Sequence, residues 1–206
     1  MVLPPQTLDL ISCYRIPFST NVERVALAAG HKGIEIEWID VDPGDRSSVV
    51  AVSGQPLVPV LVAGDEVVAD SPRILEWLEQ RFPDPPLLPL DPARRAEVQV
   101  FVDWFNRVWK RWPNAINDGE GEHGEHVDEM RRAVGIFETL LDGRDFLLGD
   151  FGLADVIAFP FLKYASLGRQ PGDIDSFHAV LADQMPLSEG SPLHAWTARV
   201  DALPRG

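Results

Sequence analysis

The sequence predicts an α/β unit followed by an all-helical one. Over residues 1–83 short strand-like runs alternate with helix-like runs. The stretch "PDPPLLPLDP", residues 83–92, then holds five prolines and admits no regular structure. Beyond it the β-branched strand runs stop and apolar residues recur at helical spacing. Residues 1–83 are therefore expected to form one domain, 84–91 a proline-rich linker and 92–206 a helical domain.

In the first domain "TLDLIS" reads as a strand. "NVERVALAAGHKGI" places Val22, Val25, Leu27 and Ala28 on one helical face and stops at Gly30 and Gly33. "EIEWIDV" alternates like a strand, and "RSSVVAVSGQP" reads as a short helix or loop. In "LVPVLVAGDEVVADSP" two valine-rich runs flank Gly64 and Asp65, a hairpin. "SPRILEWLEQRF" closes the domain as an amphipathic helix with Ile74, Leu75, Leu78 and Phe82 on one face. The expected order is β-α-β-α-β-β-α. In the second domain, helices are expected in "ARRAEVQVFVDWFNRVWKRW", "HVDEMRRAVGIFETLLDG", "LADVIAFPFLKYASLG", "FHAVLADQM" and "PLHAWTARVDAL".

Composition narrows the function. The 206 residues are 45% hydrophobic and 24% charged, ordinary for a globular protein, and no apolar run approaches the roughly 20 residues of a membrane helix. The N-terminus lacks the basic and apolar regions of a signal peptide, so a cytoplasmic protein is expected. A net charge of −14 disfavours nucleic acid and anionic membranes as partners and leaves a small molecule or another protein. The single cysteine, Cys13, rules out an intrachain disulfide. His123 and His126 sit in "GEGEHGEH", which reads as a solvated acidic loop and not as a metal site.

The order of elements, together with "FSTNVERV", "LVPVL", "ADSPRILEWLEQRFP" and "FLLGDFGLADVIAFP", resembles the glutathione S-transferase family over nearly the whole chain. The resemblance implies a thioredoxin-like N-terminal domain and a helical-bundle C-terminal domain, a cytosolic homodimer, and a site for glutathione or another low-molecular-weight thiol without a metal. It implies a cis bond before Pro59, with the backbone of Val58 paired to the ligand like an added strand. It also implies that Ser71, at a helix start, holds the γ-glutamyl carboxylate while Asp70 recognises the ammonium. Ser71 reads as an N-cap with Pro72 at the first helical position. Ser19, five residues before Arg24, matches the family's catalytic position, where a hydroxyl and a helix N-terminus stabilise a thiolate.

Tyr14 ranks second at that position, and Cys13 reads as a buried small hydrophobe rather than a nucleophile. Two departures stand out. Leu57 replaces a polar residue before the Val-Pro pair, for which the Gln55 amide is the expected substitute, and Arg15, Lys32 and Arg73 are the basic residues nearest in sequence. Gly152 stands where a Ser or Thr would pair with Asp155 in a capping box. Trp104, Phe105, Trp109 and Trp112 share one helix that the resemblance places at the electrophile pocket, at least half of them expected in the core. The expected activity is thiolate attack on an electrophilic small molecule. A maleylacetoacetate-type isomerase, thiol exchange through Cys13, and a non-catalytic interaction protein are the alternatives.

Overall fold

The computed structural model describes residues 10–206. Residues 7–9 of the expected first strand, and the N-terminus read for a signal peptide, lie outside them. The chain divides into two compact units, one running to Pro85 and including Pro204–Gly206, the other Pro86–Leu203.

The first unit follows the order β1 (Ile11–Arg15), α1 (Thr20–His31), β2 (Glu37–Asp40), α2 (Ser47–Ser53), β3 (Val60–Ala63), β4 (Glu66–Ala69), α3 (Ser71–Arg81). The sheet is mixed, in the order β2-β1-β3-β4: β1 pairs parallel with β2 and antiparallel with β3, and β3 pairs antiparallel with β4. The parallel pair needs the α1 crossover, while the hairpin turns at Gly64 and Asp65. Val25, Leu27 and Ala28 of α1 and Ile74, Leu75 and Leu78 of α3 are buried, and Cys13, Val60 and Leu61 are fully inaccessible within the sheet. The peptide bonds Val58–Pro59 and Asp84–Pro85 are cis.

Pro204–Gly206, expected within the helical domain of residues 92–206, pack on α1. The Gly206 N–H donates to the Ala26 carbonyl at 3.0 Å, and a Cβ on Gly30 would lie 2.1 Å from the Pro204 oxygen, so only glycine permits this approach.

The second unit is helical: α4 (Pro92–Trp104), α5 (Arg111–Asp118), α6 (His123–Leu140), α7 (Leu153–Leu167), α8 (Ser176–Asp183) and α9 (Pro192–Asp201). The helix expected over 93–112 does not run straight. Residues Phe105–Trp109 form a wide π-helical turn, and α5 carries on through Pro113 to Asp118. The wide turn sends both Phe105 and Trp109 into the core, where they stack with centroids 4.5 Å apart, while Trp104 and Trp112 are half-buried. His123 and His126, expected in a loop, lie in the first turn of α6. No helix among the described residues is long and apolar enough to cross a membrane.

Asp155 is the polar centre of this unit. It is fully buried; its Oδ1 accepts from the Leu147 N–H (3.0 Å) and the Trp196 indole N–H (2.8 Å), and its Oδ2 accepts from the Gly152 N–H (3.1 Å). Burial lifts the carboxyl to about 6 against these three donors, which pull it down. The structure also accounts for Gly152. The Leu87 carbonyl, accepting from the Leu153 N–H at 2.8 Å, passes 2.8 Å from where a Cβ on Gly152 would sit. A serine here would displace the Leu87 segment, so the missing hydroxyl reflects close packing. Asp155 accordingly does more than cap a helix.

Candidate functional site

The hairpin and α3 together build a short polar ridge in the first unit. Just before β3, the side chain of Gln55 brackets Leu57: its Nε2 donates to the Leu57 carbonyl (2.8 Å) and its Oε1 accepts from the Leu57 N–H (2.6 Å). Both polar groups of Leu57 are thereby satisfied, and its side chain stays exposed. The next residue, half-buried Val58, makes no hydrogen bond among the described residues through either its N–H or its C=O. A backbone group left open beside a sheet is a ready pairing edge for an extended ligand.

Asp70 follows β4 with φ of +79°, a left-handed conformation that few non-glycine residues adopt. Its N–H donates to the Pro59 carbonyl at 3.3 Å, which ties the two halves of the ridge together. Asp70 occupies the N-cap position of α3, but its carboxylate makes no capping bond and is exposed. Ser71, expected as the N-cap, is instead the first helical residue. It is fully buried, and its Oγ donates to Asn21 Oδ1 of α1 at 3.4 Å. The first-turn N–H groups of α3 and the positive end of its dipole remain beside the open Asp70 carboxylate.

Arg24 underlies this arrangement. Buried in α1, it donates from Nη1 to Asn21 Oδ1 at 3.3 Å. Burial pulls its guanidinium down to about 9, and the nearby Asp70 charge pushes back. Asn21 thus joins Arg24 to Ser71, a role that sequence reasoning missed. The available signal was an arginine at the same helical face as Val25 and Ala28, where an unpaired charge is costly.

Ser19 is the N-cap of α1, and its Oγ accepts from the Val22 N–H at 3.4 Å. It lines a cavity of about 570 Å3 whose walls do not include Val58, Pro59, Asp70 or Ser71. Tyr14 pairs with Val60 across the β1–β3 ladder. Cys13 is fully buried, and burial pushes its thiol up to about 12 against a weaker lowering by the Val60 backbone, which disfavours its thiolate at neutral pH.

Of the basic residues named above, Lys32 lies at the other end of α3. Its buried ammonium meets Glu79 at 2.6 Å and donates to the Phe82 and Pro85 carbonyls. Arg15 pairs with Asp40 at 2.7 Å, and Arg73 is exposed two residues past Ser71. No group of three or more His, Cys, Asp or Glu side chains among the described residues could hold a metal ion.

The model of the glutathione S-transferase N-terminal domain matches residues 14–86, and that of the C-terminal domain matches residues 101–199. The chain belongs to the glutathione S-transferase family. It is similar to Glutathione S-transferase U1 of Arabidopsis thaliana, 27% identical over 203 residues that cover 96% of this chain and 86% of the relative. It is also similar to a Stringent starvation protein A homolog of Coxiella burnetii, 25% identical over 157 residues and 75% of each chain. The fold matches the structure of rice GST1 in complex with glutathione, with a TM-score of 0.74 at 24% identity over 94% of this chain and 87% of that one. The chain is a glutathione S-transferase-like enzyme with a thioredoxin-like first unit and a helical second unit.

Proposed function

We propose that the ridge Val58–Pro59–Asp70–Ser71 binds glutathione, and that the protein transfers this thiol to an electrophilic small molecule. The open N–H and C=O of Val58 carry the reading, because they stand beside an exposed carboxylate that accepts no hydrogen bond among the described residues and a helix N-terminus. In this arrangement Val58 pairs with the peptide backbone of the thiol. The exposed Asp70 carboxylate takes the γ-glutamyl ammonium, and the amides at Ser71 take its carboxylate. Gln55 acts through Val58, by fixing the residue ahead of it. Ser19, whose oxygen accepts from the helix and whose proton is not engaged by another described residue, donates to the thiolate and lowers its pKa.

The test is transfer of glutathione to an activated aryl halide, with Ser19→Ala beside the unmodified protein. The expected result is a loss of at least about tenfold in kcat with glutathione affinity within about twofold, as for a group acting chiefly in the transition state. Turnover unchanged by the substitution removes Ser19 from the chemistry. Glutathione binding without turnover in either protein supports the alternative of a non-catalytic interaction protein on this scaffold.

A homodimer is part of the same proposal. Helices α4 and α6 border an apolar groove of about 620 Å3 in which Val100 is 70% and Ile136 46% exposed, and a second copy would cover it. Val100→Glu is expected to halve the mass measured by sedimentation equilibrium. A cytosolic detoxifying role follows from this reading.

A further inference from the structure

The C-terminal end of α7 carries a row of polar groups that the thiol ridge does not use. Ser166, in the last turn of α7, and His194, in the first turn of α9, are both half-buried, and Ser166 Oγ lies 2.8 Å from His194 Nδ1. The other ring nitrogen, His194 Nε2, lies 3.2 Å from the carbonyl oxygen of Ser188, just ahead of α9. That carbonyl is itself anchored, since it also accepts from the Ser191 N–H at 3.0 Å, and Ser191 donates to Glu138 of α6 at 2.6 Å.

The two bonds to the ring fix each other's direction. A carbonyl oxygen only accepts, so the Nε2 that faces it carries the ring proton and Nδ1 keeps its lone pair. The Ser166 hydroxyl must then donate to Nδ1. Other serines spend their protons differently: Ser53 donates to a backbone carbonyl, Ser176 to the Asn117 amide oxygen and Ser191 to a carboxylate. Ser166 alone among the described serines donates to a histidine ring, which can take the proton up when the oxygen attacks. A nucleophile, a base and a group that orients the base, each within hydrogen-bond reach of the next, is the arrangement that activates a hydroxyl.

We propose that Ser166, activated by His194, is a covalent acylation site for activated esters of small carboxylic acids. Ser166 Oγ attacks the ester carbonyl carbon and forms the new O–C bond while its proton passes to His194 Nδ1. The bond from that carbon to the leaving oxygen breaks, the leaving group departs with the electron pair, and the imidazolium returns the proton to it. The Ser188 carbonyl holds the reactive tautomer and accepts from Nε2–H as the ring gains charge. It is neutral, so it supports the imidazolium less than a carboxylate would, and the end of α7 offers carbonyls rather than N–H groups to a developing oxyanion. The acyl group therefore stays on Ser166, one per chain, without turnover. Ser166, Ser188 and His194 all belong to the second unit, whereas the thiol ridge belongs to the first.

Incubation of the intact chain with p-nitrophenyl acetate at neutral pH, read by intact mass and by peptide mapping, tests the proposal. An acetyl group on Ser166 is expected, formed at least about tenfold faster than on the exposed Ser48, and the labelled peptide should be missing from Ser166→Ala. His194→Gln keeps a donor and an acceptor in place but takes up no proton, and should slow acetylation of Ser166 about tenfold or more. In Ser166→Cys the introduced thiol should react with iodoacetamide about tenfold faster than free cysteine at the same pH, which tests the base even where the glutamine variant does not fold. Acetylation of Ser166 no faster than of Ser48, an unchanged rate in His194→Gln, or a thiol in Ser166→Cys no faster than free cysteine overturns the proposal.

Discussion

Asp70 and Asp155 are the same residue type put to opposite uses. Asp155 is buried and accepts three hydrogen bonds from residues 147, 152 and 196. Asp70 is exposed, sits in a left-handed backbone, and has no hydrogen bond on its carboxylate among the described residues. An aspartate whose capacity is filled from within serves the fold. One whose capacity is left open at a helix N-terminus is available to a ligand. The same contrast separates the bracketed Leu57 from the open Val58 one residue later.

The sharpest way to break this contrast is to remove the buried carboxylate. Asp155→Ala leaves two buried donors and one half-buried donor without an acceptor, at about 1–3 kcal/mol each, and should cost about 3 kcal/mol or more of stability in urea denaturation. A loss under about 1 kcal/mol would show that water replaces the carboxylate and that the hub is not structural. At the open end, Asp70→Asn should change the unfolding free energy by less than about 1 kcal/mol, since asparagine also tolerates the left-handed region.

Acidity sharpens the comparison further. With the folded Asp155 carboxyl near 6 and its ordinary value near 3.8, the native chain binds more protons than the unfolded chain between those values. The stability this group contributes is therefore complete below about pH 4 and is lost as the pH rises through about 6. The stability difference between the native protein and Asp155→Asn should shrink over that window, and a difference that grows with pH would contradict the assignment. The smallest effect expected is at Cys13. Its thiol should resist alkylation at pH 8 until the chain unfolds, and rapid labelling of the folded protein would reopen thiol exchange.

Much of this was legible in the sequence because it rests on local pattern. Alternation and helical spacing gave the β-α-β-α-β-β-α order, and the Val-Pro pair and "DSP" located the ridge. What escaped depends on residues distant in sequence. Nothing local marks Pro204–Gly206 as part of the first unit, since an irregular tail has no period. Gln55 looked like a ligand contact because its own carbonyl-flanked loop was not visible, and in the fold its amide is held by Leu57. The reason for Gly152 is the Leu87 carbonyl, 65 positions earlier in the chain. The wide turn at Phe105–Trp109 was hidden because its aromatics fit a helical period closely enough to pass for a straight helix.

The central claim is that the ridge is a thiol-binding site, and calorimetric titration with reduced glutathione, run on the native protein and on Asp70→Ala, tests it most directly. Saturable binding that weakens by at least about tenfold in the variant is the predicted result. No heat of binding up to millimolar glutathione, or the same affinity in both proteins, would contradict it.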